Sequence, residues 1–203
     1  VSVVDLRAET RAYGRARLRE LALDAARETV LARGWGAVRM GAVATAVGIS
    51  RQSLHAEFGT KDDLGNALVL REVEEFFSGV RERLHAHPGD LDGAVSAAAE
   101  YMLTSAREDP LLQSVLTGAS GDASLLSQLT VAGEPIIGRA VGLVGEWMRD
   151  GWPDADPDDV RLMVESVVRL AQSHILTPTR TPAEAARDLA AVACRCMGLP
   201  DPR

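Results

Sequence analysis

The chain has 203 residues, 46% of them hydrophobic but only 4% aromatic, and a formal net charge of −7. That length suits one large domain or two small ones with a real core, and its abundance of Ala, Leu, Val and Arg favours helix over sheet. No apolar run is long enough to cross a bilayer and the N-terminus lacks a charged-then-apolar leader, so a soluble, cytoplasmic chain with no membrane partner is expected.

Residues 1–14 lack a clean period, carry four charges of mixed sign and include Gly14, so they are expected to form a mobile arm. The first helix is predicted from Arg15 to Arg33, with Leu18, Leu21, Ala22, Ala25, Val30 and Leu31 on its buried side. Gly34 ends it, and Trp35 and Val38 are expected to pack beneath the next two helices. Those two are short and lie near 41–47 and 51–57. Thr60 then caps a fourth, whose Asp63 favours the positive end of the dipole, and which runs to about His85 before His87-Pro88-Gly89. Further helices are predicted from Leu91 to Arg107 and from Asp109-Pro110, where Asp caps and Pro suits the first helical position. Residues 118–124 are a predicted loop, 125–131 a short helical piece, and Gly133-Glu134-Pro135 leads into a helix ending near Asp150-Gly151. Asp156-Pro157 and Thr181-Pro182 repeat the cap-plus-proline device, and Glu184 completes a capping box with Thr181. They open the last two helices, 158–176 and 183–197. No stretch alternates with period two. The fold class is therefore all-α: a three-helix helix-turn-helix head over 15–60, followed by a larger helical domain over 61–203. Cys194 and Cys196, two apart on a helix, point in different directions and are expected to be ordinary reduced thiols.

The stretch 38–61, VRMGAVATAVGISRQSLHAEFGTK, carries most of the functional information. Ala44 allows close helix approach, Gly48 supplies the positive φ of a sharp turn, and Ile49, Leu54 and Phe58 pin the second short helix. Ser50 is its expected N-cap. Arg51, Gln52 and Ser53 then form an exposed first turn, the part of a helix-turn-helix that enters the major groove first. Arg51 suits guanine or phosphate, Gln52 suits adenine, and His55 one turn later suits the sugar-phosphate backbone or a thymine methyl. Lys61, the only lysine, opens the fourth helix, where a phosphate would meet both its ammonium and free backbone N–H groups. Arg7, Arg11 and Arg15 are candidates for a minor groove or for a solvated tail. Glu57 sets a carboxylate beside these groups, which phosphate would repel unless it reads cytosine. Charge is divided accordingly: residues 1–61 carry ten basic and six acidic side chains, the other 142 carry 12 and 23. A basic head on an acidic body fits a double-stranded DNA partner despite the negative total.

The segment VRMGAVATAVGISRQSLHAEFGTKDDL resembles the N-terminal signature of the TetR/AcrR family of one-component transcriptional regulators. The resemblance is carried by Ala44, Gly48, Ile49, Ser50-Arg51, Leu54, His55, Phe58 and Lys61, and covers about residues 15–65. It implies DNA contacts from Ser50, Arg51, Gln52, Ser53, His55, Thr60 and Lys61. Two positions depart: His55 stands where the family usually has tyrosine. Met40-Gly41 replaces a usual Thr or Ser cap, which moves a phosphate contact to Arg39. The resemblance further implies a homodimer on a near-palindromic operator, a four-helix bundle from the last two helices of each copy, and release by a small-molecule effector, with a repressor the expected mode. The C-terminal half resembles actinobacterial regulators of lipid or hydrocarbon metabolism.

Two features locate those activities. Val160, Met163, Val164, Val167, Val168 and Ala171, with the small-residue stripe Ala186, Leu189, Ala190 and Ala193, give the last two helices more apolar surface than one core needs, and are the expected dimer interface. Phe76, Tyr101, Met102, Leu112, Leu116, Leu126, Ile137, Leu143, Val144 and Trp147 are candidates for an apolar effector pocket, with Gln172 and His174 as orienting polar groups. The loop 118–124 and Gly133 would form its entrance or hinge. No phosphate loop, metal-spaced cluster or serine elbow occurs, and the acidic pairs Asp62-Asp63, Glu74-Glu75 and Asp158-Asp159 point apart on helices. Neither a cofactor nor catalysis is expected. The alternative is a helical dimeric interaction or ligand-binding protein that has lost DNA binding, favoured by Glu57 and the missing tyrosine.

Overall fold

The computed structural model describes residues 6–117 and 133–199. The expected loop 118–124, the helical piece 125–131 and Leu126 lie outside the described residues, as does the side chain of Arg7. Within the described residues the chain is helical and without strands. It divides into two compact units, Val1–Arg71 and Glu72–Arg203, so the division falls about three turns inside the fourth helix and not at its start.

In the first unit, α1 spans Leu6–Arg33. It therefore begins nine residues before the expected Arg15, and Gly14 lies inside it. The residues around that glycine are mostly strong helix formers, and an exposed interior glycine costs only about 1 kcal/mol. The buried face of α1 is set by Ala22, Leu23 and Ala26, while Leu21 and Leu31 turn outward. Gly34, at φ 77°, ends the helix, and a single 3₁₀ turn, Trp35–Ala37, buries Trp35. Helices α2 (Met40–Ala46) and α3 (Arg51–Phe58) come next. Gly48, at φ 74°, turns the chain between them, and Ile49 N–H returns to the Ala44 carbonyl at 3.0 Å. Val43, Ala44, Leu54 and Phe58 are buried where these helices meet. Truncating a side chain as enclosed as Leu54 costs about 2–5 kcal/mol.

Helix α4 spans Lys61–His85 and begins on a reciprocal cap. The Asp63 carboxylate accepts from Thr60 N–H (2.8 Å) and from the Thr60 hydroxyl (2.7 Å), while Asp63 N–H donates to Thr60 Oγ1 (3.2 Å). A second tie lies further along, where the Arg71 guanidinium reaches Asp24 (2.7 Å) and Glu20 (3.4 Å) of α1.

The second unit holds the rest of α4 with α5 (Leu91–Glu108), α6 (Pro110–Thr117), α7 (Gly133–Gly151), α8 (Pro157–Leu176) and α9 (Pro182–Cys196). Local chemistry opens three of them as expected: Asp109 accepts from Leu111 and Leu112, Asp156 from Asp158 and Asp159, and Thr181 with Glu184 forms a complete capping box. The cap of α5 is not among those expected: Asp90 accepts from Gly93 N–H. Helix α9 packs on α5 and α8, and α7 and α6 both pack on α8. Cys194 and Cys196 are not joined in a disulfide. One crossing is unusually close: a Cβ on Gly79 of α4 would lie 2.2 Å from the Tyr101 hydroxyl of α5. The Arg83 guanidinium covers that ring from 3.8 Å, and Phe76 stacks on it at 6.3 Å.

Gly79→Ala should therefore lower stability by about 1–3 kcal/mol through overpacking, although alanine is the better helix former. In a Tyr101→Ala background the same change should stabilise, as denaturant melts of the four chains would register. The helix cap makes stability depend on acid as well. The backbone and side-chain hydrogen bonds from Thr60 hold the Asp63 carboxyl below its ordinary value of 3.8. A folded-state pKa below the unfolded one gives stability present above the unfolded value and lost as pH falls through the folded one. Thermal melts should therefore show Asp63→Ala below the parent at pH 7, with the difference closing below pH 3.8.

Candidate functional site

The head presents one exposed polar turn, organised by its own side chains. Ser50 Oγ accepts from Ser53 N–H at 3.0 Å and lies 2.9 Å from Ser53 Oγ, so both serines hold the first turn of α3 while remaining exposed. Burial of Leu54 and Phe58 on the opposite side obliges Arg51, Gln52, Ser53 and His55 to face outward. His55 Nδ1–H donates to the Gly59 carbonyl at 2.7 Å, which leaves Nε2 as an acceptor for Arg51 Nε–H at 3.4 Å. The imidazole thereby braces the arginine and fixes its own tautomer, while the two terminal nitrogens of the guanidinium keep their donors. Gln52 makes no side-chain hydrogen bond to another described residue.

The flanking groups are more engaged than the sequence suggests. Lys61 Nζ donates to the Trp35 carbonyl at 2.8 Å and sits 4.7 Å above the Trp35 ring, so the ammonium ties the start of α4 to the 3₁₀ turn. Two of its three N–H donors are not consumed by that bond. Arg39, at the N-cap of α2, folds back onto the carbonyls of Gly36 and Val38. The Thr60 hydroxyl is committed to Asp63.

Glu57 differs from expectation. Its carboxylate pairs with Arg15 (3.5 Å) and Arg19 (3.4 Å) of α1 and is only 17% exposed. Six residues of α3 separate it from Arg51, and its pairing braces α1 against α3. Arg19 also lies over the Phe58 ring at 4.7 Å.

In the second unit a cavity of about 120 Å³ lies between α4, α5, α6, α7, α8 and α9. Seven of the expected pocket residues line it: Phe76, Met102, Leu116, Ile137, Leu143, Val144 and Gln172. Four others do not. Tyr101 is committed to its crossing over Gly79, and Leu112 is buried within α6. Trp147 packs edge-on against Trp152 at 4.8 Å. His174 lines a separate, more polar hollow with Arg107, Thr179 and Arg180. Phe77, Val80 and Leu84 of α4 and Val95, Ala98 and Ala99 of α5, which the sequence did not single out, complete the wall. Their helical spacing from Phe76 and Met102 was the available signal.

The expected dimer stripe also sits elsewhere. Met163, Val164, Val167, Val168, Ala171, Ala186, Leu189, Ala190 and Ala193 are all buried inside the single chain, and Val160 is half-buried. Val167, Val168, Ala171 and Leu189 are cavity wall. Outward on α8 are Leu162, Leu170 and Leu176, at 53%, 42% and 51% exposure, and α9 leaves Val192 half-buried.

Comparison with known proteins agrees with both units. Residues 22–68 match the family model described as bacterial regulatory proteins, tetR family, and residues 90–195 match one described as the C-terminal domain of the bacterial tetracycline repressor. The HTH-type transcriptional regulator AlkX of Mycobacterium tuberculosis is 33% identical over 176 residues, covering 87% of this chain and 83% of that protein. The solved structure of the TetR family repressor AlkX from Dietzia sp., implicated in biodegradation of n-alkanes, superposes with a TM-score of 0.64. It shares 30% identity and covers 88% of this chain and 96% of its own. A TetR-family regulator from Streptomyces coelicolor shares the fold at a TM-score of 0.57 and 22% identity, covering 91% of this chain and 97% of that one. With a helix-turn-helix head and a helical C-terminal domain both matched along their length, this chain belongs to the TetR family of transcriptional regulators.

Proposed function

We propose that this chain is a non-catalytic, cytoplasmic repressor that holds a near-palindromic operator as a homodimer and lets go when an apolar effector enters the cavity of the second unit. The observation that carries the DNA-reading part is the capped, outward-facing Arg51-Gln52-Ser53 turn, with Arg51 braced by His55. With Glu57 withdrawn beneath Arg15 and Arg19, no carboxylate of α3 competes for that surface. This removes the main support for a head that has lost DNA binding. In this assignment Arg51 and Gln52 read base edges, Ser50 and Ser53 fix the turn and touch phosphate, and His55 positions Arg51. Arg39, Thr60 and Lys61 lie along the backbone. The effector belongs to hydrocarbon metabolism, as the role of the Dietzia relative suggests and as a wall of aliphatic and phenyl groups favours.

The partner surface is the outer side of α8 and α9. Leu162 and Leu170 are two turns apart on one side of α8, and solvent-exposed leucines so placed fit a second copy across a twofold axis.

Binding to the DNA upstream of the chain's own gene tests the first part. Affinity should fall steeply with salt. Arg51→Ala should relax preference at its base by about 1–3 kcal/mol, whereas Lys61→Ala should weaken all sequences alike and lower the salt slope by about one. Equal binding by the parent and both variants would reject the assignment. For the second part, Leu162→Glu with Leu170→Glu should give a monomer in sedimentation with unchanged helical content, and should bind the operator at least tenfold more weakly. A double variant that stays dimeric removes α8 as the interface.

A further inference from the structure

The polar hollow that contains His174 is built from the ends of α5 and α8, from α6, from the loop joining α8 to α9 and from the first turn of α9. It shares only Ile175 with the apolar cavity. Its floor is apolar, since Leu103, Ala106 and Ala185 are buried there. Its rim is not. Arg107 comes from the last turn of α5, His174 from the last turn of α8 and Arg180 from the connecting loop, with the Thr179 hydroxyl beside it. Acids outnumber bases 23 to 12 in the 142 residues after Lys61, so two arginines and a histidine around one hollow run against the composition.

The rim is rich in donors and poor in acceptors. Arg107, His174 and Thr179 make no side-chain hydrogen bond or ion pair with another described residue. Arg180 pairs with Asp188 at 3.2 Å, which engages one of its terminal nitrogens and leaves the rest of a five-donor guanidinium. Glu184 is the one acid among the described residues that line the hollow, and it is taken up by its own cap. Its carboxylate accepts from Thr181 N–H at 3.0 Å and from the Thr181 hydroxyl at 2.8 Å. The C-terminal ends of α5 and α8 favour cations through the helix dipole, which accounts for Arg107 and His174 standing there. A dipole takes up none of their side-chain donors, however. An oxyanion does, and a guanidinium matches a carboxylate with two parallel N–H bonds.

We propose that this hollow is a second ligand site, which binds a small organic carboxylate with its acid group on the Arg107, His174 and Arg180 rim and its carbon body on the Leu103, Ala106 and Ala185 floor. The floor selects an organic acid over a bare inorganic anion, because only the former covers apolar surface as it binds. The rim selects an acid over a neutral molecule of the same shape. The site is distinct from the apolar cavity, and the assignment stands or falls independently of the operator and effector readings above.

Isothermal titration of the full-length chain at pH 7 and fixed ionic strength, in chloride, with benzoate, benzyl alcohol and inorganic phosphate tests this. Benzoate should bind saturably, one per chain, with benzyl alcohol and phosphate each about tenfold weaker or worse. Arg107→Gln and His174→Leu should each weaken benzoate about tenfold at unchanged helical content and melting temperature, which reports that both variants are folded. No benzoate binding, equal binding of benzyl alcohol or phosphate, or benzoate binding that Arg107→Gln leaves intact would overturn the proposal. So would a loss of stability in Arg107→Gln that disappears in an Asp122→Asn background, since the chain's own acid would then be the partner of the guanidinium.

Discussion

The unbroken hydrogen-bond ladder of α4 is the constraint on which the rest depends. The helix runs from Lys61 to His85 without proline. Its first turn is fixed by the Thr60–Asp63 cap and by Lys61 on Trp35, its third by Arg71 on α1, and its last turns supply Phe76, Phe77, Val80 and Leu84 to the cavity wall. Breaking an interior turn would cost backbone hydrogen bonds with nothing to replace them. Within the second unit, a change at the cavity wall is resisted at Gly79. With Tyr101 lying where a Cβ would be, α4 and α5 are in close contact at that point, and such a contact has little slack for local repacking.

Charge in the head is arranged to the same end. Six acidic side chains accompany ten basic ones over residues 1–61, and the structure shows where the important ones go. Glu57 is taken up by Arg15 and Arg19, and Glu20 and Asp24 by Arg71. Asp63 is committed to a cap. Each of these acids has a structural role inside the unit, and none of them lies in the Arg51-Gln52-Ser53 turn. A net charge of −7 thus coexists with a cationic tip because Glu57, Glu20 and Asp24 are held by arginines away from it, and the excess of acid resides in the second unit.

How much was legible in the sequence depends on the range of the interaction involved. The caps at Ser50, Asp90, Asp109, Asp156 and Thr181 depend on side chains within three residues, and each lies where local chemistry puts it. The outward turn of α3 was legible because Leu54 and Phe58 leave it no other orientation. Questions of which partner a side chain meets were not. Periodicity identifies the apolar face of 158–176 and 183–197 but is silent on whether that face meets the same chain or a second copy. Here α9 lies on α5, and Leu189 and Ala190 are consumed internally. The direction of Glu57 was hidden for the same reason, since Arg15 and Arg19 lie about forty residues away. Tyr101 and Phe77 are equally plausible pocket residues by type. Only the glycine at position 79, small enough to admit an aromatic ring, distinguishes them, and that requires knowing which helices cross there.

The cavity and the head answer to one thermodynamic condition. An effector that binds equally well to operator-bound and released forms shifts nothing, however tightly it binds. In the proposed reading differential affinity comes from the wall, whose described side chains are hydrophobic except for Gln172 and act through packing more than through charge. Filling such a cavity recovers the dispersion contacts that its lining otherwise lacks, at a cost of about 24 cal/mol for each Å³ left void. On that scale a volume of about 120 Å³ is worth a few kcal/mol, which matches the coupling of about 1–3 kcal/mol typical of allosteric proteins. An effector that leaves part of the cavity empty would leave part of that free energy unused, and one too large would have to push the wall apart.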